Sequence, residues 1–107
     1  MEQSSPGIVL TTAGSVEEAR QIAQELVELR LAACVNIVPQ IESFYRWEGK
    51  VERATEWLLL IKTTAQAFER VRDTIQQLHS YDLPECVMLE ISDGSSGYLK
   101  WLLENVG

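Results

Sequence analysis

At 107 residues the chain is long enough for one domain and too short for two. Its 16 acidic and 9 basic side chains leave a net charge of −7. Such a surface repels phosphate backbones and anionic lipid, so nucleic acid and membrane are not expected partners, while a cation or a cationic ligand is allowed.

No stretch approaches the about 20 apolar residues of a membrane span. Two cysteines, Cys34 and Cys86, are too few for a disulfide framework, and free thiols suit a reducing compartment. The polar opening Met1–Gly7 does not read as a secretory leader. Together these predict a cytoplasmic protein.

In chain order, residues 1–7 read as a flexible tail and 8–107 as one domain. Ile8-Val9-Leu10-Thr11-Thr12 is a short β-prone run ended by Gly14. Ser15-Val16-Glu17-Glu18 matches a capping box, in which Ser15 accepts from the Glu18 amide and Glu18 reaches back. The helix that follows puts Val16, Ala19, Ile22, Ala23, Leu26 and Val27 on one face and runs to about Leu29 or Leu31.

Val35 to Trp47 alternates with period two, an apolar odd set against a mostly polar even set, which predicts a half-buried strand. Glu48-Gly49 makes a tight turn. The return strand is apolar on both faces at Trp57-Leu58-Leu59-Leu60-Ile61, so it is expected centrally in the sheet. A second helix carries Phe68, Val71, Ile75 and Leu78 after a cap at Thr63-Thr64, and Pro84 disfavours its continuation. Glu85–Ile91 reads as a fourth strand and Tyr98–Val106 as a final helix.

Strand, helix, strand, strand, helix, strand is the α+β pattern of a ferredoxin-like βαββαβ sandwich, here with a long β-hairpin and a C-terminal helix. Two helices on one sheet face leave the other face open. The apolar final helix and a hairpin of about 14 residues per strand, against a usual five or six, predict coverage by further copies of the chain.

Several separated motifs then carry a family resemblance. They are Leu31-Ala32-Ala33-Cys34-Val35-Asn36-Ile37, Ser43 with Tyr45-Arg46-Trp47-Glu48-Gly49-Lys50, Glu56, Ile61-Lys62-Thr63, His79-Ser80-Tyr81 with Pro84-Glu85, and Tyr98-Leu99-Lys100-Trp101. From Ile8 to Trp101 the chain resembles the CutA family of divalent-cation tolerance proteins. The resemblance implies a cytoplasmic homotrimer, similar in architecture to the PII signalling proteins. It implies a role in tolerance to divalent cations, copper especially, and no established catalysis or obligatory cofactor.

The copper site of that family combines a Cys near the end of the first strand with a His-His pair. Here those positions hold Thr11 and Leu78-His79, so one of three ligands is kept.

The candidate residues each have a plainer reading. His79, the lone histidine, is either a soft-metal ligand or a cation closing a helix C-terminus. Cys34 is a weak metal candidate or, like Cys86, a buried small hydrophobe. Glu56, Lys62, Tyr81 and Glu85 match family positions and either line a cleft between subunits or are ordinary polar surface. Trp47, Trp57 and Trp101 read as interface and core anchors rather than a ligand cage. One histidine and no Gly-rich phosphate loop give hydrolase and kinase readings no support. Two functions remain: a trimeric metal-responsive protein, or a small-molecule sensor or scaffold for which metals are incidental.

Overall fold

The computed structural model describes residues 4–107. The chain runs through β1 (Pro6–Ala13), α1 (Val16–Glu28), β2 (Cys34–Trp47) and β3 (Lys50–Thr64). A 3-10 turn (Ala65–Ala67), α2 (Phe68–Leu78), β4 (Val87–Glu90) and α3 (Ser96–Glu104) follow. The sheet order is β2-β3-β1-β4, each strand antiparallel to its neighbours. This is the predicted ferredoxin-like arrangement with an added helix.

Paired residues of antiparallel strands share a face, so the register assigns every side chain. Val9, Ala13, Leu59 and Ile61 lie on one face and pack with Ala19, Ile22 and Leu26 of α1 and Val71 and Ile75 of α2. This is the core, and α1 and α2 cover it. The opposite face carries Ile8, Leu10, Leu58 and Leu60, with exposed Val38, Val87 and Leu89 around them. Val27 of α1, expected on the apolar face, is exposed: α1 ends one residue later, and its inner row is Ala19, Ile22 and Leu26.

Three expectations need correction. The tail is shorter than 1–7, because Pro6 and Gly7 belong to β1; residues 1–3 lie outside the described residues. Gly7 sits between β3 and β4, opposite Thr63 and Glu90, where a Cβ would stand 2.1 Å from Met88 Cε and 3.0 Å from the Leu89 carbonyl oxygen. A side chain there requires the Met88 methyl to swing away and the Leu89 carbonyl to give by a few tenths of an ångström. Gly7→Leu is expected to destabilise by about 1–3 kcal/mol, read as a lower midpoint in urea; an unchanged midpoint would mean that β4 moves aside freely.

The β2 alternation also breaks. Val38 pairs with Leu58, but Ile41 pairs with Glu56, so β2 spends three steps where β3 spends two. This bulge, with Gln40 at φ 54, flips the parity. Val35 and Ile37 face the helices, whereas Ile41, Ser43, Tyr45 and Trp47 share the face of Glu56. A strict alternation over Val35–Trp47 would have put all of these on one side.

In the third case, the capping box forms only in part. Ser15 Oγ accepts from the Glu18 amide at 3.2 Å, but the Glu18 carboxylate turns to Ser80, taking its amide at 2.5 Å and its hydroxyl at 2.9 Å.

At the hairpin end, Trp47 pairs with Lys50 across Glu48 (φ 49) and Gly49 (φ 79), a two-residue turn with both central residues left-handed. Terminal helix α3 packs against β3 and β1 and buries Leu102. Its C-terminus is held by Arg30, which donates to the Glu104 and Gly107 carbonyls at 2.7 and 2.8 Å.

Candidate functional site

The site forms where the hairpin leaves the sheet. β1 ends with Ala13 opposite Trp57, so Glu56 is the first β3 residue beyond the end of β1. The segment after α2 crosses at that point, bringing Tyr81 to Glu56: the phenol donates to Glu56 Oε2 at 2.8 Å. Together they enclose a cleft of about 760 Å³. Glu56, Tyr81, Asp82 and Glu85 are prominent among its polar groups, and Tyr45, Trp47 and Leu83 form much of its wall.

His79 pins the crossing segment. Its backbone amide closes α2 on the Ile75 carbonyl. Its ring Nε2 lies 2.6 Å from the Thr12 carbonyl oxygen, and Nδ1 accepts from the Tyr81 amide at 3.0 Å. A carbonyl only accepts, so Nε2 is the donor to Thr12; Nδ1 also lies 3.4 Å from Glu18 Oε1. The ring is 46° from the Tyr81 ring at 4.6 Å. The buried ring thus bridges β1 and Tyr81 at the C-terminal end of α2.

The cleft is electrostatically negative. Glu56 is 7% exposed, and no basic side chain pairs with it among the described residues. Burial, then the hydrogen bond and charge of Glu56, push the Tyr81 phenol up to about 12, so it stays a donor. Partial burial, then the Glu56 charge, raise the Glu85 carboxyl above its ordinary range.

That shift has a consequence for stability. Between the ordinary carboxylate pKa and the raised one, the native state keeps a proton that the unfolded chain has lost. Rising pH across that window therefore favours unfolding. Glu85→Gln is expected to raise the melting temperature at neutral pH and to matter less below about pH 3.5, where both states are protonated. Melts at the two pH values check this; a variant less stable than wild type at neutral pH contradicts it.

The structure brings together Glu56, Tyr81, Glu85 and Trp47, sets His79 against Tyr81, and leaves Lys62, Trp57, Trp101, Cys34 and Cys86 apart. Lys62 is six residues from Glu56 along β3, about 20 Å at 3.3 Å per residue. Its Nζ lies 5.7 Å from the centre of the Tyr98 ring instead. Trp57 faces the core opposite Ala13 and is half-buried. Trp101 is exposed on α3, 5.6 Å from the Tyr98 ring. Cys34 opens β2, its Sγ 3.9 Å from Asn36 Oδ1. Cys86 packs at the core edge, where burial pushes its thiol up against the opposing pull of Arg72.

The family's copper ligands do not fit here. Thr11 is fully buried with its hydroxyl unpartnered, Leu78 packs on the core, and both His79 nitrogens are engaged. Among the described residues, no group of three or more His, Cys, Asp or Glu is placed to hold a metal ion.

Sequence reasoning missed Glu18, which anchors Ser80, and Tyr45, Asp82 and Leu83 of the cleft. The spacing Ser43-x-Tyr45-x-Trp47 was the available signal, since alternate residues of a strand share a face.

The chain folds as a small ferredoxin-like domain with a projecting hairpin and an acidic, aromatic-walled cleft. The family model of the CutA1 divalent ion tolerance protein matches residues 7–105. The divalent-cation tolerance protein CutA of Thermus thermophilus is 53% identical over 100 residues, 94% of this chain and 97% of that one. A solved structure of the Thermus thermophilus protein aligns with a TM-score of 0.94 at 52% identity, covering 95% and 99% of the two chains. The Archaeoglobus fulgidus structure, described as a periplasmic divalent cation tolerance protein CutA, aligns at 0.92 and 44% identity, covering 95% and 99%. The chain belongs to the CutA family of divalent-cation tolerance proteins. Among the described residues, no helix is long and apolar enough to cross a membrane.

Proposed function

We propose that this chain is a non-catalytic, homotrimeric binding module whose ligand is a small molecule held in the Glu56–Tyr81–Glu85 cleft, metal ions being incidental. The cleft carries the reading: about 760 Å³ lies within the range of small-molecule sites, about 300–1,000 Å³. Its polar groups converge on apolar walls, as such sites require. The engaged ring of His79 favours this over a soft-metal site, and leaves no histidine free for general-base work.

The trimer reading is supported by the sheet face where half-buried Leu58 and Leu60 lie beside exposed Val87 and Leu89, and by a hairpin of 14 and 15 residues that outruns β1. Other copies would cover both.

The test is a thermal-shift panel of neutral, anionic and cationic metabolites and divalent metals, run on untagged protein and on Ser43→Phe, which narrows the cleft. Ligands that stabilise the wild type and fail on Ser43→Phe are expected, with light scattering giving the mass of three chains for both. Stabilisation by copper alone, unchanged in Ser43→Phe, would restore the metal reading. A single-chain mass at low micromolar concentration would remove the trimer.

A further inference from the structure

The cleft holds a charge that nothing on the chain balances. Glu56 is 7% exposed, and Tyr81 satisfies one of its oxygens with a neutral donor. A buried carboxylate without a counter-charge is costly, and a cation entering the cleft removes that cost. Glu85 and Asp82 line the same space, and no described lining residue is basic. The chemistry of the site therefore asks for positive charge.

The walls decide which kind of cation. A hard metal ion needs about six or more oxygens closing around it, and the described residues supply no group of three or more placed to do so. This cleft instead presents aromatic and aliphatic surface. The bulge in β2 turns Tyr45 and Trp47 to the side of Glu56, and Leu83 and Pro84 face them from the crossing segment. Aromatic faces beside carboxylates attract ammonium groups attached to hydrocarbon, through the ring quadrupole and through apolar contact.

We propose that the cleft binds a small organic cation, an alkyl- or arylalkylammonium, with the nitrogen against Glu56 and Glu85 and the hydrocarbon against Tyr45, Trp47 and Leu83. This rests on the reading of the cleft as the ligand site. Tyr81 then has a positioning role: donating to Oε2, it orients the Glu56 carboxylate toward the ammonium.

The experiment is calorimetric titration of the untagged protein with phenethylammonium, with its neutral counterpart 2-phenylethanol, and with copper(II) and magnesium ions. Phenethylammonium is expected to bind at least about tenfold more tightly than the alcohol, as loss of a charge-assisted hydrogen bond implies. Glu56→Gln keeps an acceptor for Tyr81 and is expected to weaken ammonium binding by about tenfold or more. Trp47→Ala should weaken both ligands, and Cys34→Ser neither. Should Glu56→Gln fail to fold, Glu85→Gln carries the same comparison.

Equal affinity for the alcohol and the ammonium would overturn the proposal. So would ammonium binding untouched in both carboxylate variants. If an uncharged or anionic metabolite binds and is lost in Ser43→Phe while no ammonium binds, the cleft remains the ligand site and the cation assignment falls. If only metal ions bind, both fall.

Discussion

Leu59→Ala is expected to cost about 2–5 kcal/mol of folding stability, the range for truncating a buried leucine. Leu59 is fully buried in β3, opposite Thr11 of β1 and Ile37 of β2, and belongs to the cluster formed with α1 and α2. Four other elements converge there, so the space left by the side chain cannot collapse easily. Since domains are stable by only about 5–15 kcal/mol, the variant should melt about 10 °C or more lower at fixed protein concentration. Leu58→Ala, one residue away on the other face, is the contrast. Leu58 is only half-buried within the chain, so its truncation should act mainly on assembly and make the melt more dependent on concentration. Equal losses for both, independent of concentration, would contradict the assigned faces.

His79→Ala is expected to cost about 2–4 kcal/mol, as one buried and one part-buried hydrogen bond are lost and their partners stranded. The ring joins the Thr12 carbonyl at 2.6 Å to the Tyr81 amide at 3.0 Å, and alanine replaces neither contact. Ser80 would still be held by Glu18, but Tyr81 would lose the anchor that sets its phenol on Glu56. The phenol, pushed up to about 12 in the native chain, should therefore titrate closer to its ordinary value, visible in an ultraviolet pH titration. Chemical unfolding supplies the stability. If His79→Ala keeps full stability and an unchanged Tyr81 titration while abolishing copper uptake, His79 is a metal ligand and the bridge is of no consequence.

Local rules decided much of this architecture. Helix periodicity at Ile22, Leu26, Val71 and Ile75, the cap at Ser15, the turn at Glu48-Gly49 and the doubly apolar run at Trp57–Ile61 are each written in a few neighbouring residues, because propensity and patterning act over one or two turns. Their order suffices for the ferredoxin-like class, and the family motifs point to the same class and to cation tolerance. Trp57 and Leu59 could be assigned to a central strand on this basis alone.

The site could not be read in that way, because each of its relations is a long-range distance. Nothing near Glu18 in the sequence says that its carboxylate caps Ser80 rather than its own helix. Nothing near His79 says that both ring nitrogens are engaged, by Thr12 and by Tyr81, and this is what separates a structural histidine from a ligand. Lys62 and Glu56 share a strand and similar family standing, yet only the end of β1 at Ala13 determines that Glu56 borders the cleft and Lys62 meets Tyr98. The bulge at Pro39–Gln40 is the sharpest case. One extra residue, with Gln40 held left-handed, moves Tyr45 and Trp47 to the opposite face of the hairpin. Period-two patterning carries no mark of such a shift, because register is set by the partner strand and the packing on each face, not by the strand's own sequence.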